Sequence, residues 1–341
     1  MPADLKGMRV DQVGSLLRPE KLKESFEKYV QGVIGQRELR QVQDDAIREV
    51  IGTQEAHNLP FVTDGEYRRL NFMESFYGVA GFEGLHRWDA LVRTDVAPGA
   101  PAAPMKGLNP VVIARTPVSQ RLRLVRNRIL EEYLFASRCT SRPVKITLVN
   151  TDRIVETFDP VESKTVYSNV DEFLADIVQI QRRMIEEVVQ AGCRYVQIDG
   201  PTYTSYVDFG LHMCRGNRQS MWRREGSYNA IAERLFNGLR HHRLLLEYDT
   251  ERAGTFEPLR FVPKDRTAVL GLITTKSGRL ETVDELKRRI DEASRYIPLE
   301  QLALSPQCGF ASDIRGNLLT VAEQWRKLDV MLETAVQVWG G

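Results

Sequence analysis

The sequence predicts a closed (β/α)8 (TIM) barrel, a single domain over 1–341, on three observations. About eight short apolar runs recur along the chain, and most are followed by a stretch of helical periodicity. That alternation builds a parallel sheet covered by helices, and about eight such units in a chain of this length suit a closed barrel. Polar residues also gather where the apolar runs stop, the rim on which such barrels carry their sites. An open doubly wound sheet is the competing fold. It calls for a G-x-G-x-x-G turn after a strand, and none stands there.

Each element has its own signal. Met8 to Gly14 reads as the first strand, and Pro19 opens a helix because proline suits the first helical turn. A second helical period runs from Arg37 to His57, with Leu39, Val42, Ile47, Val50 and Ile51 on one face. Phe61 to Glu66 is the next strand and its turn. Asn71 to Pro110 is then irregular, an excursion after the second strand. Its Phe72, Met73, Phe76, Tyr77, Phe82 and Trp88 either line a pocket or form a local hydrophobic cluster. A helix is expected from Gln120 to Ala136, a strand over Val144–Leu148, and a strongly amphipathic helix from Val170 to Ala191 closed by Gly192. Strands follow at Tyr195–Asp199, around His212, at Leu244–Tyr248, Val269–Ile273 and Leu302–Leu304. Helices are expected over Asn229–Leu239, Val283–Tyr296 and Leu318–Val338.

Charge and cysteine usage exclude some classes of function. The chain carries 47 basic and 46 acidic residues, a net charge of +1, so nucleic acid and membrane surfaces are not expected partners. No run is long enough to span a membrane, and Met1-Pro2-Ala3-Asp4 does not open a leader. The cysteines at 139, 193, 214 and 308 are too few and too scattered for a disulfide framework, so a cytoplasmic location is expected.

The chemistry centres on Leu211-His212-Met213-Cys214. In an extended strand an i, i+2 pair shares a face, so His212 and Cys214 present an imidazole and a thiol together, donors that zinc accepts. Glu247 and Cys308 end later apolar runs and could complete a tetrahedral set. Two thiolates, a carboxylate and a neutral imidazole around Zn²⁺ sum to one negative charge. Such an ion is a poor Lewis acid but holds a thiol as a reactive thiolate, which points to alkyl transfer onto a substrate sulfur. Glu247 is the donor expected to yield its place. Cys139 and Cys193 read as small hydrophobes, and His57, His86, His241 and His242 as ordinary histidines.

On these residues the chain resembles the catalytic barrel of cobalamin-independent methionine synthase over most of its length. The resemblance implies Zn²⁺ held by His212, Cys214, Glu247 and Cys308, the last within Pro306-Gln307-Cys308-Gly309. It implies a homocysteine site built from Ser15, Glu66 and Asp199 in Ile198-Asp199-Gly200-Pro201, the two acids facing the substrate ammonium. Cys214-Arg215-Gly216-Asn217 is similar to the short single-barrel branch of that family. The chain departs from the family on the donor side. It lacks the additional amino-terminal barrel, has Gly200 where an acid is common, and carries Lys276 where a histidine stands near the leaving group. Asp199 and Lys276 are thus the candidate catalytic residues, and the methyl donor is a methylfolate or a corrinoid protein. Two other readings compete. One is epoxide opening by coenzyme M, whose sulfonate would need Arg18, Arg68, Arg69 or Arg215. The other is a zinc-free, decarboxylase-like barrel that binds a tetrapyrrole.

Overall fold

The computed structural model describes residues 7–81, 116–199, 210–217, 219–222, 226–238 and 241–340. Its sheet has six parallel strands in chain order: β3 (Lys145–Val149), β4 (Tyr195–Asp199), β5 (Gly210–Met213), β6 (Arg243–Glu247), β7 (Thr267–Ile273) and β8 (Leu302–Pro306). A separate two-residue antiparallel ribbon pairs β1 (Val79–Ala80) with β2 (Arg123–Leu124).

Two further staves close the sheet into a ring of eight. Val10 bridges Leu304 and Val62 bridges Val144, both in parallel sense. The two staves then meet each other: the Thr63 hydroxyl donates to the Gly14 carbonyl at 2.7 Å, and the Leu16 amide donates to Gly65 at 3.2 Å. The fold is the expected TIM-type α/β barrel. Its first two strands are short because side chains replace much of the backbone ladder there; Gln54 spans the Thr63 backbone with one bond to its amide and one to its carbonyl. Every residue of β3, β4, β6, β7 and β8 is buried, as befits strands covered on both faces.

Among the described residues eight helices can be named: α1 (Glu20–Val30), α2 (Gln36–Ala56), α3 (Arg128–Ala136), α4 (Thr151–Val155), α5 (Val170–Gln190), α6 (Ala232–Gly238), α7 (Val283–Ser294) and α8 (Val321–Trp339). Side chains fix several starts. Asn169 caps α5, while Thr282 with Glu285 and Thr320 with Glu323 form capping boxes on α7 and α8. Two expected helix starts are corrected, and one open alternative is resolved. The helix expected from Gln120 begins at Arg128, because Arg123–Leu124 pairs into the ribbon and Asn127 supplies the cap. The last helix starts at Val321 rather than Leu318, where the Thr320 cap sets it. Met73 and Phe76 are buried in the main core with Phe72 and Tyr77 packed against it, so these four form the local cluster; Phe82, Trp88 and the rest of the excursion to Pro110 lie outside the described residues.

At the amino ends of the strands the barrel is plugged by buried charge. Asp11 accepts from Lys145 at 2.8 Å, from Arg243 at 2.9 Å and from the Tyr195 hydroxyl at 2.5 Å. Above it Val13, Leu245, Val269 and Ala303 form an apolar layer. The polar residues at the opposite, carboxyl ends are thereby separated from the plug.

Candidate metal centre

Strand register brings the candidate donors together. Asp199 at the end of β4 pairs with His212 of β5, and Met213 pairs with Leu246 of β6, so Cys214 emerges beside Glu247. Gly271 of β7 pairs with Ser305 of β8, which leaves Cys308 just beyond the same rim. The ligand atoms of His212, Cys214 and Cys308 all lie within 4.8 Å of one another. His212 is buried, and neither ring nitrogen has a hydrogen-bond partner among the described residues. A buried imidazole without partners is costly unless something takes its nitrogen lone pair. One imidazole and two thiols form a donor set that suits zinc.

The same three residues share charge. A hydrogen bond from the Cys308 thiol holds Cys214 well below the ordinary thiol range, against burial, and His212 adds to the effect. Cys308 is correspondingly pushed up. Burial opposes a charged His212, but Cys214, Asp199 and Glu247 outweigh it and raise its pKa.

Glu247 stands next to this group without joining it. Its Oε2 accepts the Arg215 amide at 2.5 Å, while Oε1 meets Arg252 at 3.1 Å and Lys276 at 3.3 Å. Lys276 also reaches Asp249 at 3.3 Å, so it stands on the Glu247 side of the site. Burial raises the Glu247 pKa, opposed chiefly by Lys276.

The thiol-substrate candidates occupy the adjoining staves. Glu66 sits at φ 60 after Gly65 at φ 67, a left-handed pair that turns its carboxylate inward. Its Oε1 accepts from Thr147 at 2.6 Å and faces Arg69 at 3.4 Å, whereas Oε2 is buried with no partner among the described residues. Asp199 accepts from Gln197, and its pKa is pushed up to about 7 by burial and by the charge of Glu66, with His212 opposing. Ser15 packs against the Cys308 turn: a Cβ on Gly309 would lie 2.0 Å from the Ser15 hydroxyl, so any larger residue there has to displace that side chain. Gly200 and Pro201 lie outside the described residues.

Sequence reasoning missed the groups that hold these side chains. The Thr275 hydroxyl receives Asn217 at 2.7 Å and Gln307 at 2.9 Å and donates to the Gly309 carbonyl at 3.2 Å, tying the Cys214 and Cys308 turns together. Asn217 belongs to the singled-out Cys-Arg-Gly-Asn run, a signal that was available. The pairing of Arg69 with Glu132 at 2.6 Å had none, because Glu132 lies on a distant helix. The four arginines considered for a sulfonate are all engaged. Arg18 donates to four carbonyls, Arg68 to Asp44, Arg69 to Glu132 and Thr147, and Arg215 to Gly226.

Comparison with known proteins gives a consistent picture. Residues 242–336 match the family model described as the catalytic domain of cobalamin-independent synthase. YxjH of Bacillus subtilis, named only as an uncharacterized protein, is 34% identical over 371 aligned positions, which cover 97% of this chain and 94% of YxjH. Methionine synthase of Pyrococcus abyssi is 22% identical, covering 87% of this chain and 84% of its own length. A crystal structure from Listeria monocytogenes, described as a candidate vitamin-B12-independent methionine synthase, superposes with a TM-score of 0.71 at 25% identity, each chain covered in full.

Proposed function

We propose, because this chain belongs to the cobalamin-independent methionine synthase family, that it is a zinc-dependent methyltransferase acting on the sulfur of homocysteine. The observation that carries the reading is the meeting of His212, Cys214 and Cys308 within 4.8 Å beside two buried acids. His212, Cys214 and Cys308 would hold a zinc ion, with Glu247 adjacent as a fourth and yielding donor, and the ion would supply a means of keeping a thiol deprotonated yet nucleophilic at neutral pH.

The chain's own residues do the rest. Burial, helped by the charge of Glu66, holds the Asp199 carboxyl up at about 7, and a substrate ammonium beside the two acids offsets that cost. The unpartnered Glu66 Oε2 supplies the acceptor, while Thr147 and Arg69 fix the other oxygen. Ser15, pressed onto Gly309, joins the amino-acid side of the site to the Cys308 turn. Lys276, paired with Glu247 and Asp249, places a cation on the donor side. The donor is a methylfolate or a corrinoid protein. Coenzyme M chemistry is the weaker reading, since two buried carboxylates, Glu66 and Asp199, flank the thiol side of the site and suit an ammonium rather than a sulfonate. With no membrane-length apolar helix among the described residues, a cytoplasmic enzyme is the natural setting.

Metal content and methionine formation from homocysteine, with each class of donor, test the proposal. His212→Ala and Cys214→Ser are expected to lose both, and Cys193→Ser, whose thiol sits away from the rim, neither. Full activity in the first two variants overturns it.

A further inference from the structure

We propose that Thr275, on the turn after β7, is a positioning residue for the metal centre: its hydroxyl locks the two cysteine-bearing turns into one frame before an ion binds. This rests on the zinc reading above and adds to it a residue that donates nothing to the metal. Thr275, Asn217 and Gln307 are all buried. The Thr275 hydroxyl accepts from the Asn217 side-chain amide at 2.7 Å and from the Gln307 side-chain amide at 2.9 Å. It donates to the Gly309 carbonyl at 3.2 Å, which also accepts from Asn217 at 3.0 Å. A hydroxyl has two acceptor sites and one proton, so these contacts saturate it. Gln307 and Gly309 flank Cys308, and Asn217 belongs to the turn that carries Cys214. One buried hydroxyl therefore joins segments that lie far apart in the chain.

The frame extends past the cysteines. The Thr275 carbonyl accepts from Asn317 Nδ2 at 2.8 Å, Asn317 Oδ1 accepts the Ser220 backbone amide at 3.0 Å, and Ser220 Oγ accepts the Leu318 backbone amide at 2.8 Å. Ser312 Oγ donates to the Asn217 carbonyl at 2.7 Å. Gln219 and Ser220 stand at φ 49 and φ 65, left-handed conformations that persist only where the surroundings hold them. None of these groups is a candidate metal donor, so an ion at His212, Cys214 and Cys308 does not compete for them. A frame already in place spares the ion the ordering of two turns, which tightens its binding. By linkage the bound ion steadies the frame in return, out to Ser220 and Leu318.

Zinc affinity by chelator competition on folded protein, with hydrogen exchange measured with and without zinc, tests this. Thr275→Val keeps the shape but removes the hydroxyl, and it strands the Gln307 side-chain amide, whose oxygen already has no partner among the described residues. It is expected to lose about ten- to a hundredfold in zinc affinity, the usual cost of removing a group that orients a metal's ligands. Zinc is expected to slow exchange at the Ser220 and Leu318 amides in wild type and not in this variant. Thr275→Ser keeps the hydroxyl and is expected to stay within about threefold of wild type in zinc affinity. Asn217→Ala makes the same test from the Cys214 side, so the result does not hang on one variant folding. Asn169→Ala, which removes the cap of α5, is expected to melt lower yet bind zinc as wild type does, which separates lost stability from lost positioning. Folded Thr275→Val and Asn217→Ala proteins that bind zinc as tightly as wild type overturn the frame and leave the metal reading standing. A wild-type protein that binds no zinc overturns both.

Discussion

Glu66 shows how one residue carries a role that composition cannot. A non-glycine side chain at φ 60 is held there at a cost of about 1 kcal/mol. The cost is offset by Thr147 and Arg69, which fix one carboxylate oxygen and leave the other unpartnered. Glu66→Gln keeps the shape and removes the charge. It is expected to raise the KM for homocysteine by about tenfold or more, the loss of one charge-assisted contact, while leaving zinc affinity near wild type. Titrations of both ligands on one preparation check this; an unchanged KM removes Glu66 from the amino-acid site. Sequence reasoning singled out Glu66 and Asp199 from their places in turns. It could not see Thr147 or Glu132, because nothing in a threonine or in a carboxylate on another helix marks it until the chain has folded around it.

At the scale of elements, the turn after β8 governs whether Cys308 meets Cys214. Gly309 lets that turn lie against Ser15, whose carbonyl accepts the Phe310 amide at 2.9 Å. A methyl at Gly309 would overlap the Ser15 hydroxyl, so Gly309→Ala is expected to cost about 1–3 kcal/mol of stability and to weaken zinc binding. Adding Ser15→Gly opens the space, and the double variant is expected to recover part of both losses. Calorimetry and chelator competition read the cycle, and strict additivity would show that the two positions do not press on each other. Strands β3 to β8 were legible because each is a short, mostly apolar or β-branched stretch between turn signals. The first two were legible as runs but not as short ladders, since Gln54 and Thr63 bonds replace part of the pairing there. The ribbon β1–β2 was missed because two-residue strands leave no period.

Over the whole molecule, two buried groups shape stability against pH. Burial and the Glu132 charge push Asp64 up to about 6 from 3.8, with Arg69 opposing. The folded state therefore binds this proton more tightly than the unfolded chain, and the stabilisation is present below about pH 4 and lost as pH rises through 6, about 3 kcal/mol in all. Burial, with Arg266 and His242, lowers His241 to about 4 from 6.5. There the unfolded chain binds the proton more tightly, so stability falls by about 3 kcal/mol as pH drops from 6.5 to 4. Asp64→Asn is expected to gain stability over wild type above pH 6 and not at pH 4, and His241→Phe to flatten the acid limb; denaturant melts across pH check both, and parallel pH profiles would refute the assignment. The amino-acid sequence by itself determined the barrel, its element order and the positions of His212, Cys214, Glu247, Cys308, Glu66 and Asp199 on the rim, because strand burial and strand ends are written in local pattern. Only the tertiary structure decided which of them meet. Register set His212, Cys214 and Cys308 within 4.8 Å and gave Glu247 to Lys276 and Arg252, since contacts between strands depend on how distant segments align.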